Sequence, residues 1–174
     1  MVFIQMSGFP GSGKSTLARQ IAKRMHTVII DHDIVKSALL HAIDEIPIDP
    51  GQAGKVSYAI DWSLIEFQLA NGQSVLFDSP CLYQEMIDTG MKLAETYNVK
   101  YKYVECYLED ISQLNERLKN RERMASQIQE VNSEEAFNYT INNSKRPSTS
   151  KYLVVDTSQP VDTYINGVMD YINE

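Results

Sequence analysis

The chain has 174 residues, with 16 Lys and Arg against 23 Asp and Glu, and a formal net charge of −7. That length suits one ordinary domain with a sizeable core, and 43% hydrophobic with 22% charged residues is globular composition that argues against global disorder. The acidity argues against a protein that coats nucleic acid through its overall charge, though not against a small basic pocket.

No stretch approaches the roughly 18 consecutive apolar residues of a membrane span. Residues 1–6 lack the basic start of a signal peptide. Cys81 and Cys106 stand alone, with neither CxxC spacing nor a Cys/His ligand set. They read as small buried hydrophobes of a cytoplasmic protein with reduced thiols.

Val2–Met6 is the first apolar run, and residues 7–13 are too rich in glycine for regular structure. From Lys14 the spacing predicts a helix with Leu17, Ala18, Ile21, Ala22 and Met25 on one face. Thr27–Ile30 reads as a buried strand ending at Asp31-His32-Asp33, and a helix is predicted over Ile34–His41. Residues 44–54, with two prolines and two glycines, read as loop.

Val56–Leu69 reads as a helix with two apolar stripes. One is Val56, Ile60, Leu64 and Phe67, the other Trp62, Ile65 and Leu69, so the helix is expected to be largely covered. Asn71-Gly72 stops it. Ser74–Phe77 is a second buried strand, ending at Asp78, and Met86 to Tyr97 has helical spacing.

Tyr101–Leu108 reads as a strand, followed by a helix through Leu114 and Leu118 that Asp110 can cap. Residues 119–150 are polar and poor in large aliphatics. Tyr152–Val155 is the last strand, ending at Asp156, and Ser158 and Pro160 open a final helix whose apolar face runs from Val161 to Ile172. Short, unalternating strands separated by helices imply a parallel sheet covered on both faces. Ligands in such folds bind at the carboxyl ends of the strands, and three of those ends carry aspartates.

Gly8-Phe9-Pro10-Gly11-Ser12-Gly13-Lys14-Ser15 matches the phosphate-loop pattern GxxxxGK[ST] between a strand and a helix. A chance match in a chain this long is on the order of one in a hundred or rarer. Glycines let backbone N–H groups close around phosphate, and the helix N-terminus adds partial positive charge. Lys14 can reach the β- and γ-phosphates of ATP, Ser15 can ligate Mg²⁺, and Thr16 can donate to the α-phosphate. GTPase signatures (NKxD, DxxG) are absent. The adenylate kinase pattern is disfavoured, since Gly13-Lys14-Ser15-Thr16 replaces GKGT and no arginine directly follows Asp78-Ser79-Pro80.

From Phe3 to Asp156 the chain resembles the small P-loop kinases grouped as the AAA-domain "predicted kinase" family. These are relatives of polynucleotide kinase and of the shikimate and gluconate kinases. The resemblance rests on the phosphate loop, Asp31 and Asp33 after the second strand, Asp78 after the third, and Arg117 with Arg121. It implies a three-layer α/β/α P-loop NTPase fold, with a five-stranded parallel sheet in the order 2-3-1-4-5 and a helical lid. Residues 1–174 would then be one kinase domain, with an acceptor-binding region over about 34–70 and a lid over about 118–146.

The resemblance also implies roles. Asp33 is the preferred base or orienter for an acceptor hydroxyl, with Asp31 beside it contacting acceptor hydroxyls or a Mg²⁺-bound water. Helix capping is the alternative for both. His32 reads as a spacer or acceptor contact, because a lone histidine makes no metal site. Val75–Asp78 resembles a Walker B strand whose aspartate would hold a water on Mg²⁺ or hold the acceptor, with capping of the next turn as the alternative.

Arg117 and Arg121 share a helical face. The first would stack on adenine and the second grip the transferring phosphoryl group, with Arg123 a further phosphate contact. A basic surface helix paired with Glu116 and Glu122 is the alternative. Met124 to Asn143 would form the mobile rest of the lid. Lys145-Arg146-Pro147-Ser148 stands where loops of this fold edge the adenine pocket, and Tyr58, Trp62 and Tyr83 are candidates to line an acceptor pocket.

The expected activity is ATP- and Mg²⁺-dependent transfer of the γ-phosphoryl group to a hydroxyl of a small molecule, nucleoside or nucleotide. The alternatives are a polynucleotide 5′-hydroxyl kinase, disfavoured by the acidic stretch from Asp31 to Asp49, and a non-catalytic ATP-binding regulator. Residues 117–123 carry four basic side chains and one acidic, a local +3 within the acidic whole.

Overall fold

The computed structural model describes residues 1–43 and 49–174. Five strands form one parallel sheet in the order β2-β3-β1-β4-β5, as the resemblance implied. They are β1 (Val2–Ser7), β2 (Val28–Asp31), β3 (Val75–Asp78), β4 (Lys100–Tyr107) and β5 (Tyr152–Asp156). Successive residues of β1 feed opposite faces of the sheet. Ile4 and Met6 meet Leu17 and Ile21 of α1 (Lys14–Met25) and Val168 and Ile172 of α7 (Ile165–Asn173). Phe3 meets Ile65 and Leu69 of α3 (Pro50–Ala70) and Ile87 and Ala94 of α4 (Gln84–Thr96). Each face is therefore covered, which is why the strands lack a polar side.

The central strand buries one amide. Gln5 donates from Nε2 to the Met86 carbonyl at 3.0 Å and to Cys81 Sγ at 2.8 Å, while its Oε1 accepts from the Tyr101 hydroxyl at 2.8 Å. A Cβ at residue 90 would collide with Gln5 Oε1, so Gly90 of α4 lets that amide sit inside the core. Cys81 and Cys106 are buried free thiols, as expected, and burial pushes both up to about 12.

Several expectations are corrected. The loop reading of 44–54 falls partly outside the described residues. From Pro50 onward it is overturned, because Asp49 caps α3 by accepting from Gly51 N and Gln52 N, and Pro50 occupies the first turn, where its missing N–H costs nothing. The covered stripe on α3 is also overturned. Val56, Ile60, Leu64 and Phe67 are 45%, 40%, 39% and 62% exposed, because α3 turns its other face to the sheet.

A helix that spacing did not reveal, α6 (Glu134–Asn143), starts at Ser133, whose Oγ accepts from Ala136 N. Its Phe137 joins Leu108, just past β4, and Leu114 of α5 (Ile111–Asn120) in a small core against Phe9. The last helix opens as a 3₁₀ turn over Val161–Thr163 before α7. α2 (His32–Ala42) begins two residues before the predicted start, because Asp31 is its cap. No helix among the described residues is long and apolar enough to cross a membrane.

Candidate active site

The carboxyl ends of β1, β2 and β3 open on a cleft of about 1300 Å³. The loop between β1 and α1 forms its floor. Gly8 (φ 136°) and Gly13 (φ 86°) hold backbone conformations that favour glycine, and a Cβ at residue 8 would also collide with the Cys106 carbonyl. Lys14 is 8% exposed and folds over its own loop, donating from Nζ to the Phe9 carbonyl at 3.2 Å. Pro10, Gly11, Gly13, Lys14, Ser15 and Thr16 line the cleft. Gly8, Phe9 and Ser12 do not, among the described residues. The Phe9 ring instead stands edge-on to Phe137, with centroids 4.9 Å apart. Ser12 Oγ is buried with no hydrogen-bond partner among the described residues.

Sheet register places Asp31 beside Asp78. Asp78 is buried, and burial raises its pKa although Lys14 and Ser15 beside it pull the other way. Asp31 is pushed up to about 6, first by burial and then by the charges of Asp78 and Asp33. Its Oδ1 caps α2, accepting from Asp33 N at 2.9 Å and Ile34 N at 3.4 Å. It lines a side cavity of about 300 Å³ with Ser15 and Asp78, not the main cleft. The capping alternative for Asp31 is thus observed.

Asp33 lines the main cleft, and both its oxygens are occupied. Ser126 Oγ donates to Oδ1 at 3.0 Å and Gln127 Nε2 to Oδ2 at 2.8 Å. Arg121, just past the end of α5, donates from Nη2 to the Ile128 carbonyl at 2.9 Å, and its Nε is buried without a partner among the described residues. Burial lowers its pKa and nearby Asp33 opposes that. Arg117 donates to the Thr157 carbonyl at 2.7 Å and lies against Gly13. Arg123 completes the basic wall. Lys14, Ser15, Asp33, Asp78, Arg117, Arg121 and Arg123 therefore share one cleft. The arginines face that cleft rather than forming a surface helix paired with Glu116 and Glu122.

Other expected positions move away. Arg146 is held by Glu105 of β4 through bonds of 2.6 and 2.9 Å, and residues 145–148 do not line the cleft. The loop after β5 borders it instead, through Thr157, Gln159, Pro160 and Val161. Asp156 is exposed and accepts from Ser158 N at 2.9 Å. Tyr58 and Tyr83 line the cleft, but Trp62 packs edge-on against Phe77, with centroids 4.9 Å apart.

Sequence reasoning missed one partner entirely. His32 Nδ1 lies 2.6 Å from Oδ2 of fully buried Asp61 on α3, and the Tyr58 ring stacks on the imidazole with centroids 3.9 Å apart. An aspartate between apolar stripes of a helix was the available signal.

A family model described as AAA domain matches residues 3–142, and the chain belongs to that family. No curated protein matches the chain in sequence. Among solved structures, a gluconokinase from Sinorhizobium meliloti is 20% identical, with 98% of this chain and 90% of that one covered and a TM-score of 0.63. A sugar kinase from Janibacter sp. is 16% identical over 99% and 94%, with a TM-score of 0.66. The APS kinase CysC of Mycobacterium tuberculosis, in complex with AMPPNP and APS, is 13% identical over 99% and 97%, with a TM-score of 0.60. At these identities the likeness is one of fold, that of small P-loop kinases.

Proposed function

We propose that this member of the AAA domain family is an ATP-dependent kinase that transfers the γ-phosphoryl group to a hydroxyl of a small molecule, nucleoside or nucleotide. One observation carries the reading. A phosphate loop, an acceptor-side carboxylate and arginines from the far end of the chain line the same cleft. A nucleotide-binding regulator needs the loop but has no use for Asp33 and Arg121 facing it. The neighbours described as gluconokinase, sugar kinase and APS kinase agree with the reading.

In this reading residues 1–174 are one kinase domain, the acceptor side lies over about 34–70, and the segment over about 118–146 is a lid. Loop amides and Lys14 hold the β- and γ-phosphates. Arg117, beside Gly13 and bonded to the Thr157 carbonyl, covers the adenine. Ser15 and Asp78 offer a hydroxyl and a carboxylate side by side, a hard-oxygen pair suited to Mg²⁺, which takes few protein ligands and completes its shell with phosphate and water. Bound Mg²⁺ would neutralise charge on the phosphate oxygens.

Asp33 receives the acceptor hydroxyl's proton as that oxygen bonds to the γ-phosphorus. The bond from phosphorus to the β-phosphate oxygen breaks and ADP leaves. Arg121 exchanges the Ile128 carbonyl for the transferring phosphoryl group, to which its fork of donors is suited. Lid closure keeps water from the γ-phosphate.

The test is transfer of labelled γ-phosphate from ATP to a panel of sugars, sugar acids, nucleosides and nucleotides, beside a control without acceptor. Labelled product from one class supports the reading. Tight ADP binding with no product from any class would replace it with a regulator.

A further inference from the structure

His32 and Asp61 form a pair that neither the phosphate loop nor the lid uses. The 2.6 Å contact joins His32 Nδ1 to Asp61 Oδ2. Nε2 is then left for another partner, and among the described residues it has none in the protein. His32 is 4% exposed, yet it borders the cleft beside Asp33. Three restraints fix it: the bond to Asp61, the stack on Tyr58 and its place in the first turn of α2.

A purely structural role fits poorly. Asp61 is fully buried, and its Oδ1 has no hydrogen-bond partner among the described residues. A half-satisfied buried carboxylate is costly, and apolar residues of similar size would hold α2 to α3 without that cost. What the pair provides is an imidazole held in one orientation with Nε2 unpaired at the cleft wall, the arrangement of an oriented hydroxyl-binding group, since a hydroxyl can pair with that nitrogen as donor or acceptor. Asp33 next to it already accepts from Ser126 and Gln127, whereas Nε2 accepts nothing.

We infer that His32 Nε2 binds a hydroxyl of the phosphoryl acceptor, with Asp61 as its positioning residue, so that the acceptor carries at least two hydroxyls. One goes to Asp33 and is phosphorylated; the other goes to His32 and is not. This rests on the kinase reading above and narrows its acceptor to polyhydroxy compounds.

The test pairs ribose, glycerol, gluconate and adenosine with mono-deoxy analogues as acceptors of labelled γ-phosphate. His32→Asn keeps a donor toward Asp61 but lacks Nε2 and the ring that stacks on Tyr58. On the polyol that the unaltered protein phosphorylates, it should raise the acceptor KM by about tenfold, the scale of one lost hydrogen bond. Its kcat and ADP affinity should stay near those of the unaltered protein. Asp61→Asn should raise the same KM, and the double variant should add little, as expected of one linked unit. The deoxy analogue lacking the second hydroxyl should be used equally by all four proteins.

Unchanged KM in folded His32→Asn, judged by its thermal melt, would overturn the inference and leave the kinase reading standing. If His32→Asn does not fold, His32→Gln, which keeps an amide oxygen near Nε2, must retain transfer to the polyol better than to its deoxy analogue, or the inference falls. No product from the unaltered protein with any acceptor would remove both.

Discussion

Gln127 and Asp33, 94 residues apart in the chain, are joined by a 2.8 Å hydrogen bond from Nε2 to Oδ2. Ser126 strengthens the link. Its hydroxyl donates to Asp33 Oδ1, and its backbone N–H donates to Ser37 Oγ at 3.1 Å. The segment after α5 is thus fastened to the start of α2 across the mouth of the cleft. In the kinase reading an incoming hydroxyl meets Asp33 beneath this segment, since each carboxylate oxygen can accept a second hydrogen bond.

That coupling predicts the behaviour of the ligand-free protein. Asp33→Ala and Gln127→Ala should each speed amide hydrogen exchange over residues 121–131, because the segment loses the bonds that hold it closed. Exchange across β1 and β3 should not change. Unaltered exchange over 121–131 in both variants would show that these contacts do not hold it.

Catalysis should separate from nucleotide binding at Asp33 as well. Asp33→Asn keeps the shape and one set of acceptor lone pairs but cannot take a proton. Turnover should fall by at least about a hundredfold, the lower range of a general-base contribution. ADP affinity, read by calorimetry, should stay within about threefold. Lys14→Ala should abolish transfer and weaken ADP binding too, since its ammonium sits in the phosphate loop.

Asp31 makes a stability prediction with a definite sign. Its folded pKa, about 6, lies above the ordinary 3.8, so the folded state holds its proton more tightly than the unfolded chain. Stability from this site is therefore present at low pH and is lost as pH rises from about 4 through 6. Asp31→Asn keeps the cap on α2, since asparagine caps as well as aspartate, and removes the repulsion from Asp78 and Asp33. Asp31 is partly solvated, which screens the effect. The expected gain at pH 8 is on the order of 1 kcal/mol, or about 3 °C in Tm for a chain of this size. The gain should fall to about half at pH 5 and approach zero only near pH 3, below the unfolded value, and an equal gain at pH 8 and pH 3 would exclude this cause.

Phe137 ties α6 to the phosphate loop through the edge-on contact with Phe9. Phe137→Ala should destabilise the protein by about 3 kcal/mol, the scale of a buried ring lost from a small core. Nucleotide binding should weaken as well, because Phe9 is then left without its neighbour. Denaturant melts and ADP calorimetry on the same preparation separate the two effects. Leucine at 137 should restore most of both.

The sequence by itself determined whatever depends on neighbours along the chain. Hydrophobic runs marked all five strands, the glycine pattern before Lys14 marked the phosphate loop, and Asp110 marked the start of α5. These signals are local because backbone conformation and helix capping act over a few residues. Side-chain partnership is not local. The tertiary structure alone decided that Asp61 of α3 meets His32 of α2, that Arg146 belongs to Glu105 rather than the cleft, and that one apolar stripe of α3 faces outward. It also decided that Ser126 and Gln127 hold Asp33. Each of these depends on how elements distant in sequence are rotated against one another, and a helix rotated by a few tens of degrees exchanges its buried partners without changing its own hydrophobic pattern.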